Sequence, residues 1–407
     1  MRNTSIRIYV YLLLLILTIA TISSAADYQI IENEKTMETN QLEYEYYDYQ
    51  GMTDLLSDLV TIYPDIMSYA SLGTTYEGRD IWMVKLSDNV EVNEEEPGVL
   101  LMGAHHGNEK PGYESLIFFI KHMVENYVKE NTDDDGDGQM NEDIIDGVDN
   151  DDDGLVDEDP SEDRTREVIN NTEIFIIPMV NPDGVEYKSG QNDGWRKNRA
   201  PKEGQTVGSI GVDLNRNYGF KWELYDIFPV AYFDAYMSDP TSWNYRGENP
   251  FSEQETTAVK IFVENEDIKI SISYHSYGEF ITYPWTHTSG ITPHEAQYVT
   301  IGTGITDING YYLYSGSSTI IPWPGGTIGT SENWLYGEQN IMSFVIELCE
   351  TRAPTNPTVV YDYCLTHVGV NLYACEKAPQ ISLSKSATYW PFPFMRIFSY
   401  LQNLVPQ

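Results

Sequence analysis

The sequence predicts an α/β protein. We expect a single large domain with a mixed, twisted central sheet flanked by helices, carrying an acidic, calcium-loop-like insertion. Short apolar runs typical of buried strands alternate along the chain with longer segments typical of helices. Strands separated by helices favour a sheet that is covered on both faces. The length of 407 residues and the hydrophobic content of 41% are sufficient for one large core.

The predicted elements begin with a helix over 52–62, which ends before Pro64. Further helices are predicted over 112–129 and 359–376. The predicted strands are the apolar runs at 68–72, 80–86, 99–102, 173–178, 269–274 and 343–348. Ligand sites in α/β sheets lie outside the strand ends, so the segments that follow these strands are the first candidates for function.

The two ends of the chain fall outside this pattern. Residues 1–26 are typical of a secretory signal, because Arg2 and Arg7 precede a long apolar run and small residues. An uncleaved membrane anchor is the alternative, and either would place the rest of the protein outside the cytoplasm. Residues 27–43 form an acidic linker. Residues 379–407 form an aromatic tail that either packs on the domain or attaches the secreted protein to a surface.

The net charge of −39 argues against nucleic acid and anionic membranes as partners, since both would repel the protein. No second apolar run is long enough to cross a bilayer, so we expect a mature chain without a membrane span. We also expect the protein to be a monomer. The three cysteines do not form a disulfide-dense scaffold. Cys364 and Cys375 would lie about 16 Å apart on the last helix, too far to bond. Cys349 could pair with either.

The acidic insertion spans residues 131–163 and contains sixteen acidic residues and no basic one. A pattern of alternate acidic residues occurs in it twice, sixteen residues apart, at Asp133, Asp135, Asp137, Asn141 and Asp143 and at Asp149, Asp151, Asp153, Asp157 and Asp159. This pattern resembles the start of an EF-hand or thrombospondin type 3 calcium loop. The usual glutamate at the twelfth position is absent, since Ile144 and Pro160 stand there. We expect the insertion to bind Ca²⁺, with a solvated, disordered acidic run as the alternative.

The segment after the predicted strand at 99–102 contains His106 and Glu109. Loops at strand ends present catalytic groups on a rigid sheet. A neutral imidazole and a carboxylate can bind the same zinc, and a zinc with three protein ligands keeps a position open for water. The pair alone is a weak signal, so the assignment depends on the rest of the chain.

Further polar motifs follow or end the later strands. They are Asn-Pro-Asp-Gly at 181–184, Trp-Arg-Lys-Asn-Arg at 195–199, Gly-Val-Asp-Leu-Asn-Arg-Asn at 211–217, Ser-Tyr-His-Ser-Tyr at 273–277 and Ser-Phe-Val-Ile-Glu-Leu at 343–348. In the last, Glu347 lies in an apolar strand, where an unpaired charge is costly. These motifs, in this order, resemble the zinc metallocarboxypeptidase family of carboxypeptidase A and bacterial carboxypeptidase T. The resemblance covers residues 44–378 and includes a further typical stretch at 72–79.

The resemblance implies one zinc ion, bound by His106, Glu109 and His275. Asp213 matches the carboxylate that orients the first ligand histidine, a contact that zinc-bound histidines commonly need. His105, which directly precedes that ligand, is expected to be a bystander. A core histidine is the ordinary alternative for His275.

The resemblance also implies the groups that act on substrate. Glu347 matches the general base and Arg196 the arginine that stabilises the oxyanion. Asn215 and Arg216 match the pair that holds the C-terminal carboxylate of the substrate, which a planar guanidinium can bind with two hydrogen bonds. The ordinary alternatives are an ion-paired carboxylate for Glu347 and a surface cation for Arg196.

Two positions depart from the family pattern or bear on specificity. The family has a mobile tyrosine over the bound chain end, and Gly325 stands at its position. Either Trp323 or Tyr314 replaces this tyrosine, or its role is missing. Glu332 lies fifteen residues before Glu347, where the family sets the floor of its side-chain pocket. An acidic floor would favour C-terminal Lys or Arg.

The sequence therefore predicts a secreted zinc-dependent carboxypeptidase that acts on the C-termini of peptides or proteins. A cell-wall peptide amidase or deacylase on the same fold is one alternative. The other is an inactive, calcium-dependent surface-binding protein. The presence of three ligands, a base and an oxyanion arginine favours the enzyme.

Overall fold

The computed structural model describes residues 44–127, 162–189, 192–224, 236–288, 290–315 and 327–383. Several expected features lie outside these ranges, namely the signal, the linker, both calcium-loop-like repeats, Trp323, Gly325 and the tail from residue 384 onward. All site residues discussed below belong to one compact unit, which includes Tyr46–Pro354. Tyr44 and Glu45 belong, with Thr355–Val359, to a second unit, in which the Tyr44 N–H donates to the Thr355 carbonyl at 2.7 Å.

Ten strands are present in the described residues. They are β1 (Met67–Thr74), β2 (Asp80–Leu86), β3 (Gly98–Met102), β4 (Glu173–Ile177), β5 (Lys188–Ser189), β6 (Asn192–Asp193), β7 (Ile268–Ser276), β8 (Phe280–Tyr283), β9 (Tyr312–Ser315) and β10 (Met342–Leu348). Eight of them form one sheet in the order β1-β2-β4-β3-β7-β10-β8-β9, and β5 pairs with β6. The central strands β4, β3, β7 and β10 are parallel, whereas β1, β2 and β8 pair antiparallel with their neighbours toward the centre. The predicted mixed sheet is confirmed.

Eight α-helices lie in the described residues. They are α1 (Tyr49–Ile62), α2 (Lys110–Tyr127), α3 (Glu162–Ile169), α4 (Pro182–Glu186), α5 (Gln254–Val263), α6 (Glu295–Asn309), α7 (Ser331–Gly337) and α8 (Pro357–Lys377). Helix α2 packs on β3 and β7, α5 on β1, and α7 on β7 and β10. Within the part of the chain described, no helix is both long and apolar enough to cross a membrane.

Strand β3, and β4 apart from its first residue Glu173, are apolar because both faces of the sheet are covered. Every residue of β3 and β4 is buried. Leu100 and Met102 of β3 join Phe175 and Ile177 of β4 in a large apolar cluster. Leu214 is part of the same cluster, so the turn that carries Asp213, Asn215 and Arg216 is anchored in the core.

Parallel strands place their carboxyl ends at one edge of the sheet, and the polar motifs gather there. Met102 of β3 pairs with Ile177 of β4 and with Ser273 of β7. His275 of β7 pairs with Glu347 of β10. The loops after β3 and β4 therefore meet the ends of β7 and β10.

The cysteines do not pair as the sequence allowed. Cys349, Cys364 and Cys375 are all free and buried, so neither of the two bonds that were open to Cys349 is formed. Burial raises the pKa of the Cys349 thiol to about 12. A thiol with so high a pKa holds little of the thiolate that disulfide formation requires.

A buried carboxyl group on α5 makes the stability of the fold depend on pH. The Glu255 side chain is 1% exposed; its Oε2 accepts from Asn198 Nδ2 at 3.1 Å, and its Oε1 has no hydrogen-bond partner among the described residues. Burial raises the pKa of Glu255 to about 7. The folded protein therefore keeps this proton to a higher pH than the unfolded chain does. Linkage then requires stability to fall as pH rises between about 4.5 and 7.

We expect Glu255→Gln to stabilise the protein at pH 8 by about 1–3 kcal/mol and to have little effect at pH 5, because glutamine can accept the Asn198 bond without an ionisation cost. Urea unfolding of both proteins at the two pH values measures this. Glu264→Gln, an exposed position directly after the same helix, is the control. An equal effect at both pH values would contradict the expectation.

Candidate metal centre

Three buried side chains converge at this edge of the sheet. His106 and Glu109 lie between β3 and α2, and His275 is the penultimate residue of β7. The two histidine Nδ1 atoms are 3.1 Å apart, and each lies 2.9 Å from Glu109 Oε2. All three residues are at most 4% exposed. The structure thus brings together the three ligands that the resemblance implies.

The donor set fits zinc. Tetrahedral zinc with bonds of about 2.0–2.2 Å holds neighbouring donors about 3.3 Å apart, close to the observed spacing. Burial lowers the pKa of His275, which keeps its imidazole neutral, as a metal ligand must be. Burial alone would raise the pKa of Glu109, but the two imidazoles hold it well below its usual range. Among the described residues, a second group that could hold a metal consists of carboxylates only: Asp88, Glu94 and Glu96.

The ligand loop follows its path because it packs closely on a neighbouring turn. A Cβ at Gly107 would lie 2.1 Å from the backbone carbon of Gly184, so only glycine fits there. Asn181 holds the loops together, since its Nδ2 donates to the carbonyls of His105 and Arg196 at 3.3 and 3.2 Å. Asn181 belongs to the Asn-Pro-Asp-Gly motif at 181–184, for which the sequence alone indicated no role.

Asp213 links the candidate metal ligand His106 to Arg196 and Asn215. Its Oδ1 lies 3.0 Å from His106 Nε2 and accepts the Asn215 N–H at 3.1 Å. Its Oδ2 accepts two bonds from Arg196, from Nε at 3.1 Å and from Nη2 at 2.8 Å. Burial would raise the pKa of Asp213, but Arg196 and His106 hold it well below its usual range. An ionised Asp213 fixes the proton of His106 on Nε2 and leaves Nδ1 available to a metal.

Arg196 points into the group of metal ligands. Its Nη1 lies 3.2 Å from Glu109 Oε1 and 3.3 Å from His106 Nδ1. Asn215 and Arg216 follow Asp213 in a short 3₁₀ turn, and Arg216 Nη1 donates to the Asn215 carbonyl at 2.6 Å. The guanidinium group of Arg196 therefore contacts the candidate ligands, and Arg216 follows Asn215, whose Nδ2 lies 3.3 Å from His275 Nε2.

Glu347 faces the same centre from the end of β10. It pairs with His275 in the sheet, and residues that pair across neighbouring strands point to the same face. Burial, followed by the charge of Glu109, raises the pKa of Glu347 well above its usual range, and Arg196, Arg216 and Arg352 oppose this. Glu347 as a whole residue is half-buried, unlike its strand neighbours Ile346 and Leu348, which are buried.

Glu332 follows Ser331, whose N–H donates to Asn215 Oδ1 at 2.9 Å, whereas Tyr314 lies at the edge of the sheet. Glu332 lies in the first turn of α7 and is 3% exposed. Its Oε1 accepts from Thr286 Oγ1 at 2.8 Å, and its Oε2 has no hydrogen-bond partner among the described residues. Tyr314 lies in the edge strand β9, beside Phe280.

The described site also contains contacts that the sequence analysis missed. His105 is fully buried, and its two ring nitrogens contact Ser273 and Tyr218. Ser273 in turn contacts His275. Ser273 lies two residues before His275 in the same strand, so the period of two was an available signal that both face the site.

The fold and the site define an α/β protein in which two histidines and one glutamate could hold a metal ion. The family model described as zinc carboxypeptidase matches residues 52–367. The chain belongs to the zinc carboxypeptidase family. A zinc carboxypeptidase of Saccharothrix mutabilis subsp. capreolus is 30% identical over 311 residues, which are 74% of this chain and 62% of that protein's length. Carboxypeptidase B of Astacus astacus is 27% identical over 315 residues, covering 75% of this chain and 87% of the relative.

Solved structures share the fold. Thrombin activatable fibrinolysis inhibitor superimposes with a TM-score of 0.65 at 20% identity, over 83% of this chain and 75% of the other. Carboxypeptidase A of Helicoverpa armigera superimposes with a TM-score of 0.61 at 19% identity, over 85% of this chain and 75% of the other. These likenesses, together with the family match, confirm the predicted fold class and family.

Proposed function

We propose that this protein is a secreted, zinc-dependent carboxypeptidase that hydrolyses the C-terminal peptide bond of peptides or proteins. His106, Glu109 and His275 bind the zinc, and Glu347 is the general base. The observation that carries the proposal is the meeting of two histidine Nδ1 atoms and one carboxylate oxygen within 3.1 Å, with Arg196 and Glu347 facing them. Bound zinc would polarise the scissile carbonyl and lower the pKa of a water molecule.

The chain's own residues complete the reaction. Glu347 accepts a proton from the attacking water and returns it to the leaving amine, for which its position beside His275 is suited. Arg196 Nη1 stabilises negative charge that develops on the carbonyl oxygen, because it already points at the ligand group. Asp213 holds Arg196 in that direction through two hydrogen bonds.

Asn215 and Arg216 make the enzyme an exopeptidase. A guanidinium and a side-chain amide side by side can bind both oxygens of a free α-carboxylate, and an internal peptide bond offers no such group. This pair favours a substrate with a free chain end over one that lacks it.

Hydrolysis of blocked dipeptides, with a free or an amidated C-terminus, tests the proposal. We expect activity on the free acids only. Arg216→Met should lower kcat/KM by about 10–150-fold, because the variant loses a hydrogen bond between charged groups. Lys269→Met, at the opposite end of β7, is the control. Cleavage of amidated peptides alone, or of cell-wall peptides alone, would favour the amidase. No hydrolysis by zinc-loaded protein would favour the inactive binding protein.

Glu332 would select basic C-terminal side chains. A buried carboxylate with one oxygen lacking a hydrogen-bond partner is costly unless a cation or a proton satisfies it. A Lys or Arg side chain of the substrate would supply that cation. The carboxylate is fixed in place by Thr286 Oγ1, which makes it a defined partner and not a mobile one.

We expect Glu332→Gln to reduce the preference for C-terminal Arg over Leu by about 10–100-fold, the effect of removing one partner of a charged pair in a buried site. The ratio of the kcat/KM values on two peptides that differ only in the last residue measures this. Glu338→Gln, an exposed position just after the same helix, should leave the ratio unchanged. Faster release of Leu or Phe than of Arg by the unaltered enzyme would contradict the assignment.

The acidic insertion over 131–163 is proposed to bind Ca²⁺, on the strength of its two repeats of alternate acidic residues. Calorimetric titration of the whole protein with Ca²⁺ up to several millimolar tests calcium binding, and an absence of heat would contradict it.

The protein is proposed to act as a monomer.

A further inference from the structure

A chain of hydrogen bonds runs from the metal ligand His275 into the core. Ser273 Oγ lies 3.2 Å from His275 Nε2 and 3.2 Å from His105 Nδ1. His105 Nε2 lies 2.8 Å from the Tyr218 hydroxyl. The ring of His105 is stacked on that of His275, with centroids 5.6 Å apart and planes inclined by 16°. All four side chains are at most 2% exposed, so water does not compete for these contacts.

The donor in the hydrogen bond between His275 Nε2 and Ser273 Oγ follows from the chemistry of a histidine that binds a metal. If Nδ1 of His275 binds a metal, the neutral ring carries its proton on Nε2 and must donate it. Two groups lie near Nε2, Ser273 Oγ at 3.2 Å and Asn215 Nδ2 at 3.3 Å. The Asn215 amide nitrogen is itself a donor, and the amide orientation is fixed because its oxygen accepts the Ser331 N–H at 2.9 Å. Ser273 Oγ is therefore the acceptor.

The other bonds follow in turn. Ser273 Oγ receives the His275 proton, so its own hydroxyl hydrogen goes to His105 Nδ1. His105 then carries its proton on Nε2 and donates it to the Tyr218 hydroxyl oxygen. The reverse order of donors would place the His275 proton on Nδ1, where it excludes a metal.

We propose that His105, acting through Ser273 and supported by Tyr218, is a positioning residue that holds His275 in the tautomer and orientation that bind zinc. The inference rests on the zinc site proposed above. Outer hydrogen-bond partners of this kind fix ring orientation and raise ligand basicity. The same tautomer leaves Asn215 Nδ2 facing another donor at 3.3 Å, so the Asn215 amide does not compete with Ser273 for the His275 proton.

Zinc affinity, measured by competition with a chelator, tests the proposal. We expect Ser273→Ala and His105→Leu each to weaken zinc binding by about 10–100-fold. Because His105 acts through Ser273, the double variant should be no more than about threefold weaker than Ser273→Ala alone. His367→Leu, which removes another buried histidine from α8, is the control and should bind zinc as the unaltered protein does. Unaltered affinity in His105→Leu, or additive losses in the double variant, would overturn the proposal.

The tautomer of His105 provides a measurement that does not depend on variants. Nitrogen-15 NMR of the zinc-loaded, unaltered protein should show His105 protonated on Nε2, and protonation on Nδ1 would overturn the proposal. This spectrum decides the matter if the variants do not fold, which thermal unfolding of the zinc-free proteins would reveal. Tight zinc binding with the expected tautomer but no peptide hydrolysis would remove the carboxypeptidase function and leave this inference standing.

Discussion

Glu347→Gln is expected to lower kcat for peptide hydrolysis by about 10²–10⁴-fold, the usual contribution of a positioned general base. Glutamine keeps the size and the polar end of the side chain but cannot accept a proton from water. Glu347 is not one of the three proposed ligands, and the substrate carboxylate is assigned to Asn215 and Arg216. Zinc content should therefore be unchanged and KM should change by only a few-fold.

Steady-state kinetics on a blocked dipeptide, with zinc content measured on the same samples, tests this expectation. Glu350→Gln is the matched control, since Glu350 is an exposed carboxylate three residues further along the chain. An unchanged kcat in Glu347→Gln would require another base. Loss of zinc from that variant would instead show that Glu347 supports the metal.

The centre of the sheet could be predicted from sequence because its strands are buried on both faces. Strand β2 has the predicted bounds, and β3 and β4 differ from theirs by one residue at one end. Helix α1 begins at Tyr49, three residues before the predicted start, because Asp48 caps it by accepting the Gly51 N–H at 2.7 Å. Such a cap is a local signal that apolar periodicity does not include.

The edge of the sheet was missed for a different reason. Strands β8 and β9 have four residues each, too few for a periodic pattern to stand out. Helix α6 contains two glycines and several β-branched residues, which are poor helix formers. Its buried residues Tyr298, Ile301 and Ile305 lie on one face. Packing of this face on the domain therefore stabilises a helix whose residues have low intrinsic helix propensity.

Site residues were predictable to the extent that motifs carry them. The motifs contain the ligands, and the sheet brings His106 and His275 together although 169 residues separate them. The contact of His105 with Ser273 was not predictable, because it joins side chains 168 positions apart and no pattern in either segment requires it. The expectation that His105 is a bystander rested on its place beside a ligand, which says nothing of the direction of its ring.

Removal of the metal is expected to abolish hydrolysis completely, and zinc should restore it. Two imidazoles and one carboxylate are donors that zinc accepts, whereas Ca²⁺ and Mg²⁺ prefer oxygen alone, so neither of these should reactivate the protein. Zinc that binds only the folded protein should also stabilise it by about 4 kcal/mol at a thousandfold excess over the dissociation constant. Thermal unfolding with and without zinc measures that gain.

His275→Gln separates this metal site from the calcium expected in the acidic insertion. The variant should lose both hydrolysis and the zinc-dependent rise in Tm, since two ligands hold zinc far less tightly than three. Any response of Tm to Ca²⁺ should persist, because His275 lies in β7 and not in the insertion. His294→Gln, a partly exposed histidine beside α6, should behave as the unaltered protein does. If the His275→Gln variant keeps its zinc-dependent stabilisation, zinc does not bind at the three converging side chains. The roles proposed for Arg196 and Glu347 would then be wrong as well.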